Sequence, residues 1–561
     1  MNLKLFSLLF IFLAPHIGSP KLHREVEHPI DWHQAAAKSD DGTIRALVIL
    51  AEYQDVPFTY TRERFDSLLN FSGYSTNGAT GCVKDYFNSQ FCGKVNFEFT
   101  VSDIVTVSKP RSYYGTNSSS TGYDTHAGTF IAEACTLADE KIDFSLFDND
   151  GNGYVDNVFV FFAGEDEAQQ DEGKNTDYMW SHSYSLSGTQ SDYKSKAPLV
   201  LDGVKLDQYA CSSELYRRYT TDVRYDTHMA GIGTFCHEFS HILGLVDYYD
   251  TDYEKSGGTA AGLWRTTSLM DAGNYNNYCN TPANYNAIDL NILGLMQMDE
   301  LSIGANTLHP IGTSSRNAFC ITNPADSAEM YVLECRSQTG WDRYIGGCGM
   351  LVYHIDMSEE RKSESDDYGQ ITSLSRWTMY NQVNCRPDLQ CADLVEADGR
   401  SDKNPSSVAY SNIEGVFFPQ SGSSAIGSAY TVKLPFWDGT ASPLDITEIR
   451  FSGDNVELNV CKAGEVDPTE PTDPPTDEDP LYIVTYAGLD SLSAVIPYGT
   501  VLQMRVNNSV GSKSVSWYFD SQEIDPQSFE ATGSGEIRAV IDWGESIDYL
   551  VRKITVGGGQ K

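Results

Sequence analysis

An α+β chain is predicted by three features of this 561-residue sequence. Short apolar runs alternate with helical patterns in the first half, beginning with 46–51 (ALVILA), as in a sheet covered on both faces. From about Leu301 onward only short strands separated by turns are apparent, which favours a β-sandwich. A Pro-, Thr-, Asp- and Glu-rich stretch then sets off a strand-like segment of roughly 80 residues, the size of an immunoglobulin-like module. The expected units are a leader at 1–19, a short segment at 20–43, an α/β-type domain at 44–298, a β-sandwich at 299–462, an acidic linker at 463–480 and an immunoglobulin-like β module at 481–561.

Composition narrows the function. A formal charge of −39 argues against nucleic-acid partners, whose phosphates would be repelled. Lys4 followed by the apolar run 5–14 has the form of a secretory signal peptide and is too short to span a bilayer. No later run suggests a transmembrane segment, so the mature protein is expected outside the cell, kept soluble by carboxylates of which some are recruited to calcium. Twelve cysteines suit that compartment without forming a dense framework. Cys82 with Cys92 and Cys385 with Cys391 are close enough to be local pairs, whereas Cys236 reads as a buried thiol.

The elements follow in order. Residues 46–51 make a central strand, and 95–107 a second, with Val95, Phe97, Phe99 and Val101 on one face. A helix is expected at 126–141 with Phe130, Ala134 and Leu137 inward, then a strand at 154–163 ending at Gly164. Residues 256–286, rich in Gly and Asn, read as loop. Strands are expected at 330–334, 350–355 and 456–460, and beyond the linker at 481–486, 501–506, 515–519, 537–541 and 549–556.

The chemistry centres on His237-Glu238-Phe239-Ser240-His241-Ile242-Leu243-Gly244-Leu245-Val246-Asp247. Two histidines four apart on a helix lie one turn above each other, so both imidazoles reach one metal. Ile232, Phe235, Phe239 and Ile242 form an apolar stripe, and at about 100° per residue His237 and His241 point away from it. Glu238 is placed to act on the attacking water without coordinating. Gly244 lets the chain leave the helix sharply, returning Asp247 as a third ligand. Three protein ligands leave one zinc position open, the mark of a catalytic site.

Two further patterns carry weight. Asp148, Asp150, Asn152 and Asp156 put oxygen side chains at positions 1, 3, 5 and 9 of a calcium loop, with Gly153 at the sharp turn and the Tyr154 carbonyl at position 7. Phe159 stands where an EF-hand needs glutamate, so the loop is of another kind, and an Asx-rich turn without metal is the bland alternative. Met270, in Ser268-Leu269-Met270, lies downstream of the zinc motif as a metzincin-like Met-turn would. Tyr275 could reach an oxyanion, though a surface aromatic is the simpler reading among 33 tyrosines. His182 reads as a core histidine rather than a cleft residue, and His354 with Asp356 as a structural pair.

These residues resemble the immune inhibitor A-like (thuringilysin) secreted metallopeptidases, which combine H-E-x-x-H-x-x-G-x-x-D with a Met-containing S-L-M turn. Lys84-Asp85-Tyr86-Phe87, Asp143-Phe144-Ser145 leading into the acidic loop, Phe161-Phe162-Ala163-Gly164 and 347–356 (GCGMLVYHID) are similar as well. The resemblance implies a metzincin-like zinc endopeptidase with bound calcium, acting on proteins or peptides. It assigns His237, His241 and Asp247 as zinc ligands, Glu238 as general base and Met270 as the turn methionine. Such relatives carry a long propeptide; here 20–42 is short, and its His28, Asp31 and His33 are candidates to cap the zinc. Two rivals are a zinc hydrolase of a non-peptide substrate and a surface-binding or adhesion protein with an inactive peptidase-like domain. The C-terminal module is expected to serve attachment to a surface or to substrate.

Overall fold

Strand Thr43–Glu52 (β1) is buried along both faces, as its unbroken apolar run requires. In this computed structural model the described residues are 30–465 apart from 40–41, 120–121, 157, 170–176, 220–224, 252–264, 360–370, 388, 400–412, 414 and 420–423, followed by strand-bearing segments between 483 and 557. The expected leader, residues 466–480 of the linker and part of the 256–286 loop fall outside them. Beside β1 run Asn96–Thr106 (β2) and Val158–Glu165 (β3), both parallel to it. His182–Ser185 (β4), Gln208–Tyr219 (β5) and Tyr225–Met229 (β6) complete a six-stranded sheet of order β2-β1-β3-β5-β4, with β6 also on β5. β3 and β5 are parallel, and β4 and β6 pair antiparallel to β5.

Alternate β1 side chains feed two cores. Ile44, Ala46, Val48 and Leu50 join Phe235 and Phe239 of helix Ile232–Ile242. Leu47, Ile49 and Ala51 join Phe130 and Ala134 of helix Ala127–Ala138. That second helix turns differently from expectation: Leu137 is 36% exposed, while Ile131, Cys135 and Ala138 are buried with Phe130 and Ala134. The inward stripe therefore spans adjacent as well as i+4 positions, and Leu137 falls beside Thr136 on the exposed side. β3 starts at Val158 rather than 154, because Val155 donates its N–H to the Lys205 carbonyl while still closing the acidic loop.

The second half is built on a five-stranded sheet ordered Ala392–Leu394, Gly349–Asp356, Asp326–Arg336, Ala318–Asn323 and Asp299–Glu300. Both its faces are covered. Val332, Leu351, Tyr353 and Ile355 continue the core that holds Phe235 and Phe239. Leu333, Val352 and Met350 meet Ile446 and Leu458 from a three-stranded sheet of Gly304–Leu308, Asn455–Lys462 and Leu444–Ser452. Fully buried Arg336 lies beside Glu334 and Asp342 and donates to the carbonyls of Thr267 and Asn284, so charge as well as apolar packing crosses the expected 298/299 boundary. The segments beyond 483 form two further sheets, of three and five strands. No helix among the described residues is long and apolar enough to cross a membrane.

Helix Ile232–Ile242 approaches its neighbours through missing side chains. A Cβ on Gly233 would lie 1.8 Å from the Asn274 carbonyl oxygen, and one on Gly231 2.3 Å from that of Cys279. Since the obstacle is backbone, Gly233→Ala should cost about 1–3 kcal/mol of stability in urea unfolding. A loss below about 0.5 kcal/mol would show that this contact is loose.

Candidate metal centre

The helix that packs through Phe235 and Phe239 turns His237 and His241 to its other side, both nearly inaccessible to solvent. Each imidazole is fixed by a backbone carbonyl: His237 Nδ1 lies 2.8 Å from Leu269 O, and His241 Nδ1 2.8 Å from Leu245 O. Carbonyls only accept, so in the neutral rings the proton sits on Nδ1 and both Nε2 lone pairs face inward. Gly244, with φ +101°, ends the helix and sends the chain back. Asp247 then arrives fully buried, with Oδ1 3.1 Å from His237 Nε2 and 3.3 Å from His241 Nε2. Three donors each about 2.0–2.2 Å from one tetrahedral ion would show such separations. The residues fit zinc. Burial disfavours a charged His237, yet Asp247, Glu238 and the Leu269 carbonyl raise its pKa to about 9, so an entering cation displaces a proton.

Glu238 is buried beside the histidines, and its Oε2 has no hydrogen-bond partner among the described residues. Its carboxylate lies with the two imidazoles in a group whose ligand atoms are all within 4.8 Å of one another. Asp166 follows the C-terminal end of β3; burial, opposed by bonds from Ser181 and Ala168, pushes its pKa up to about 6, with Glu238 adding to the rise. Sequence reasoning passed over Asp166, although the end of a parallel strand is where functional side chains gather. Tyr275 is half exposed, as a surface aromatic would be, while desolvation, with Cys279, Asp166 and Glu238, pushes its pKa up. Met270 is fully buried and its carbonyl accepts from Tyr248 N, while the preceding Leu269 carbonyl orients His237. The turn therefore reaches the site through its backbone. His182 contacts the Trp180 carbonyl and the Tyr209 hydroxyl, and His354 pairs with Glu329 rather than Asp356.

The acidic loop is assembled separately. Carboxylate oxygens of Asp148, Asp150 and Asp156 come within 4.8 Å of one another. Asp148 Oδ1 and Asp156 Oδ1 are buried without hydrogen-bond partners among the described residues. Burial first, then Asp150 and Asp148, drive the Asp156 pKa up to about 7 against bonds from Asn149. Asn152 Oδ1 accepts from Tyr154 N, so this side chain also braces the turn. The N-terminal segment sits here and not at the histidines. Asp31 N donates to Asp150 Oδ2, Lys38 Nζ and Gln34 Nε2 to Asp150 O, and the His33 ring lies near Gly294. Neither Asp31 nor His33 caps the metal centre, and His28 lies outside the described residues. Cys82 and Cys92 are not joined either: Cys82 caps helix Val83–Gln90 from the core, and Cys92 is exposed.

Residues 37–291 match the family described as immune inhibitor A peptidase M6, catalytic domain. The pre-pro-metalloprotease PrtV of Vibrio cholerae serotype O1 is 25% identical over 267 residues, 42% of this chain and 27% of that protein. Immune inhibitor A of Bacillus thuringiensis subsp. alesti is 24% identical over 276 residues, 41% of this chain and 38% of that protein. The chain thus spans well under half the length of these relatives. The resemblance read from the motifs holds, and residues 37–291 carry a peptidase M6 domain.

Proposed function

We propose that this chain is a secreted zinc endopeptidase that hydrolyses peptide bonds in proteins. The observation that most supports it is the convergence of His237, His241 and Asp247, with the carboxylate of Glu238 beside them. These three side chains would hold zinc. When bound, zinc supplies Lewis-acid polarisation of a carbonyl and a lowered pKa for the attacking water. The rest falls to the chain. Glu238 takes a proton from the attacking water and returns it to the leaving amine. Tyr275, whose raised pKa keeps its hydroxyl protonated, is the side chain we assign as donor to the oxygen that gains charge. The leader-like residues 1–19 support export.

Glu238→Gln keeps the size of the side chain but cannot accept a proton. Zinc content by metal analysis should stay near wild type while kcat/KM on casein or a peptide falls by about 10²–10⁴ or more. Substantial residual proteolysis would refute the assigned base. The same assay separates the adhesion reading, since a protein with an idle site digests nothing with or without chelator.

Calcium is the second cofactor we infer, held by side chains of Asp148, Asp150, Asn152 and Asp156 and the carbonyl of Tyr154. Crowded carboxylates repel each other without a cation, so calcium should raise the melting temperature by mass action. Asp150→Ala should blunt that shift, and an unchanged shift would move calcium elsewhere.

The module at 481–561 is assigned to attachment or substrate capture, beyond an acidic Pro-rich stretch that buries no core. Truncation after Glu465 should leave hydrolysis of a short peptide intact while altering retention at a surface or action on large substrates. A folded truncated enzyme that loses peptide hydrolysis would place the module in the active site instead.

A further inference from the structure

The third donor is held from a distant part of the chain. Asn381 Nδ2 donates to Asp247 Oδ2 at 2.6 Å, and Asp247 N donates to Asn381 Oδ1 at 2.7 Å. Only one orientation of the amide satisfies both bonds, because a carboxylate accepts and an N–H donates. The clasp is itself braced. Thr251 Oγ1 donates to the Asn381 carbonyl, Asn384 Nδ2 donates to the Tyr248 carbonyl, and Trp377 meets the Tyr248 ring edge to face. Asn381 closes the π-turn Arg376–Tyr380 with φ +50°, a left-handed conformation that asparagine tolerates better than most residues. Asparagine thus meets two demands at this position, one of the backbone and one of the side chain.

We propose that Asn381 is a positioning residue of the metal centre, locking Asp247 so that Oδ1 alone is presented to the metal. The inference rests on the reading of Asp247 as a ligand. With Oδ2 engaged by the amide, Asp247 binds through one oxygen, and the remaining position stays open for the attacking water. Without the clasp the carboxylate can rotate, offer both oxygens and fill that position. A residue 134 positions from Asp247, and outside the matched 37–291 region, therefore completes the site.

The test uses the full chain with Asn381→Asp, which removes the donor while keeping the shape, and Asn381→Gly, which keeps the left-handed backbone while removing the amide. Zinc affinity, measured by competition with a chelator, should weaken by about 10- to 100-fold, the usual effect of losing a partner that orients a ligand. In the cobalt(II)-substituted protein the visible bands should lose intensity as coordination number rises. On a peptide, kcat should fall while KM moves by less than about twofold. A folded variant with wild-type zinc affinity and cobalt spectrum overturns the proposal. Should both variants fail to fold, the wild-type cobalt spectrum still decides: strong four-coordinate bands support one-oxygen binding, and weak bands of higher coordination refute it. Asp247→Ala separates the two readings. Full zinc in that variant removes the ligand assignment itself, whereas zinc loss there beside unaffected Asn381 variants removes only the clasp.

Discussion

A buried carboxylate oxygen held within 3.3 Å of two buried imidazole nitrogens is the constraint around which this protein is arranged. Bringing polar groups out of water and together costs free energy unless each has a partner. The chain meets that cost from several directions. The Leu269 and Leu245 carbonyls take the outer nitrogens, Asn381 takes the outer carboxylate oxygen, and the inward atoms are left to a cation. Because every outer bond is directional, the inward nitrogens and oxygen are aimed before any metal arrives. Such preorganisation is what a hydrolytic site requires.

Buried charge is handled differently in three places. At Arg336 two carboxylates and two carbonyls surround one guanidinium, so the cation belongs to the protein and the cluster joins the two halves of the fold. In the 148–156 loop three carboxylates meet with too few donors, and two oxygens remain without hydrogen bonds. There the Lys38 ammonium reaches the Asp150 carbonyl and not a carboxylate. At the histidines the partners are divided, backbone and amide outside and metal inside. The Arg336 cluster and the acidic loop therefore pose different problems, one of attachment between halves and one of repulsion within a turn.

What was legible in the sequence was local or periodic. His237 and His241 are one helical turn apart, and Gly244 and Asp247 follow within six residues, so their meeting depends on a single turn that glycine announces. The β1 run had no polar position to face solvent, and two cores indeed receive its side chains. Leu137 was misplaced because Phe130 and Ala134 permit two neighbouring helix rotations, and packing on the sheet selects one. Asp31 and His33 were plausible caps by residue type alone; position sends Asp31 to the acidic loop and His33 to Gly294. Asn381 carried no signal at all. An asparagine in a polar stretch becomes meaningful only when a fold brings it to a carboxylate.

This limits how far a catalytic unit can be equated with the stretch that carries its motif. Every side chain proposed to touch metal or substrate lies within 37–291. Some of the groups that restrain them do not. Glu334 accepts from Ala287 N, Arg336 holds the carbonyls of Thr267 and Asn284 around the Met270 turn, and Asn381 fixes Asp247. Val332, Leu351 and Tyr353 sit in the same core as the helix bearing the histidines. Described residues up to Leu394 thus share a core and hydrogen bonds with the stretch that carries the motif. A cut near 298 would sever a buried sheet face from its partner and expose that face to water.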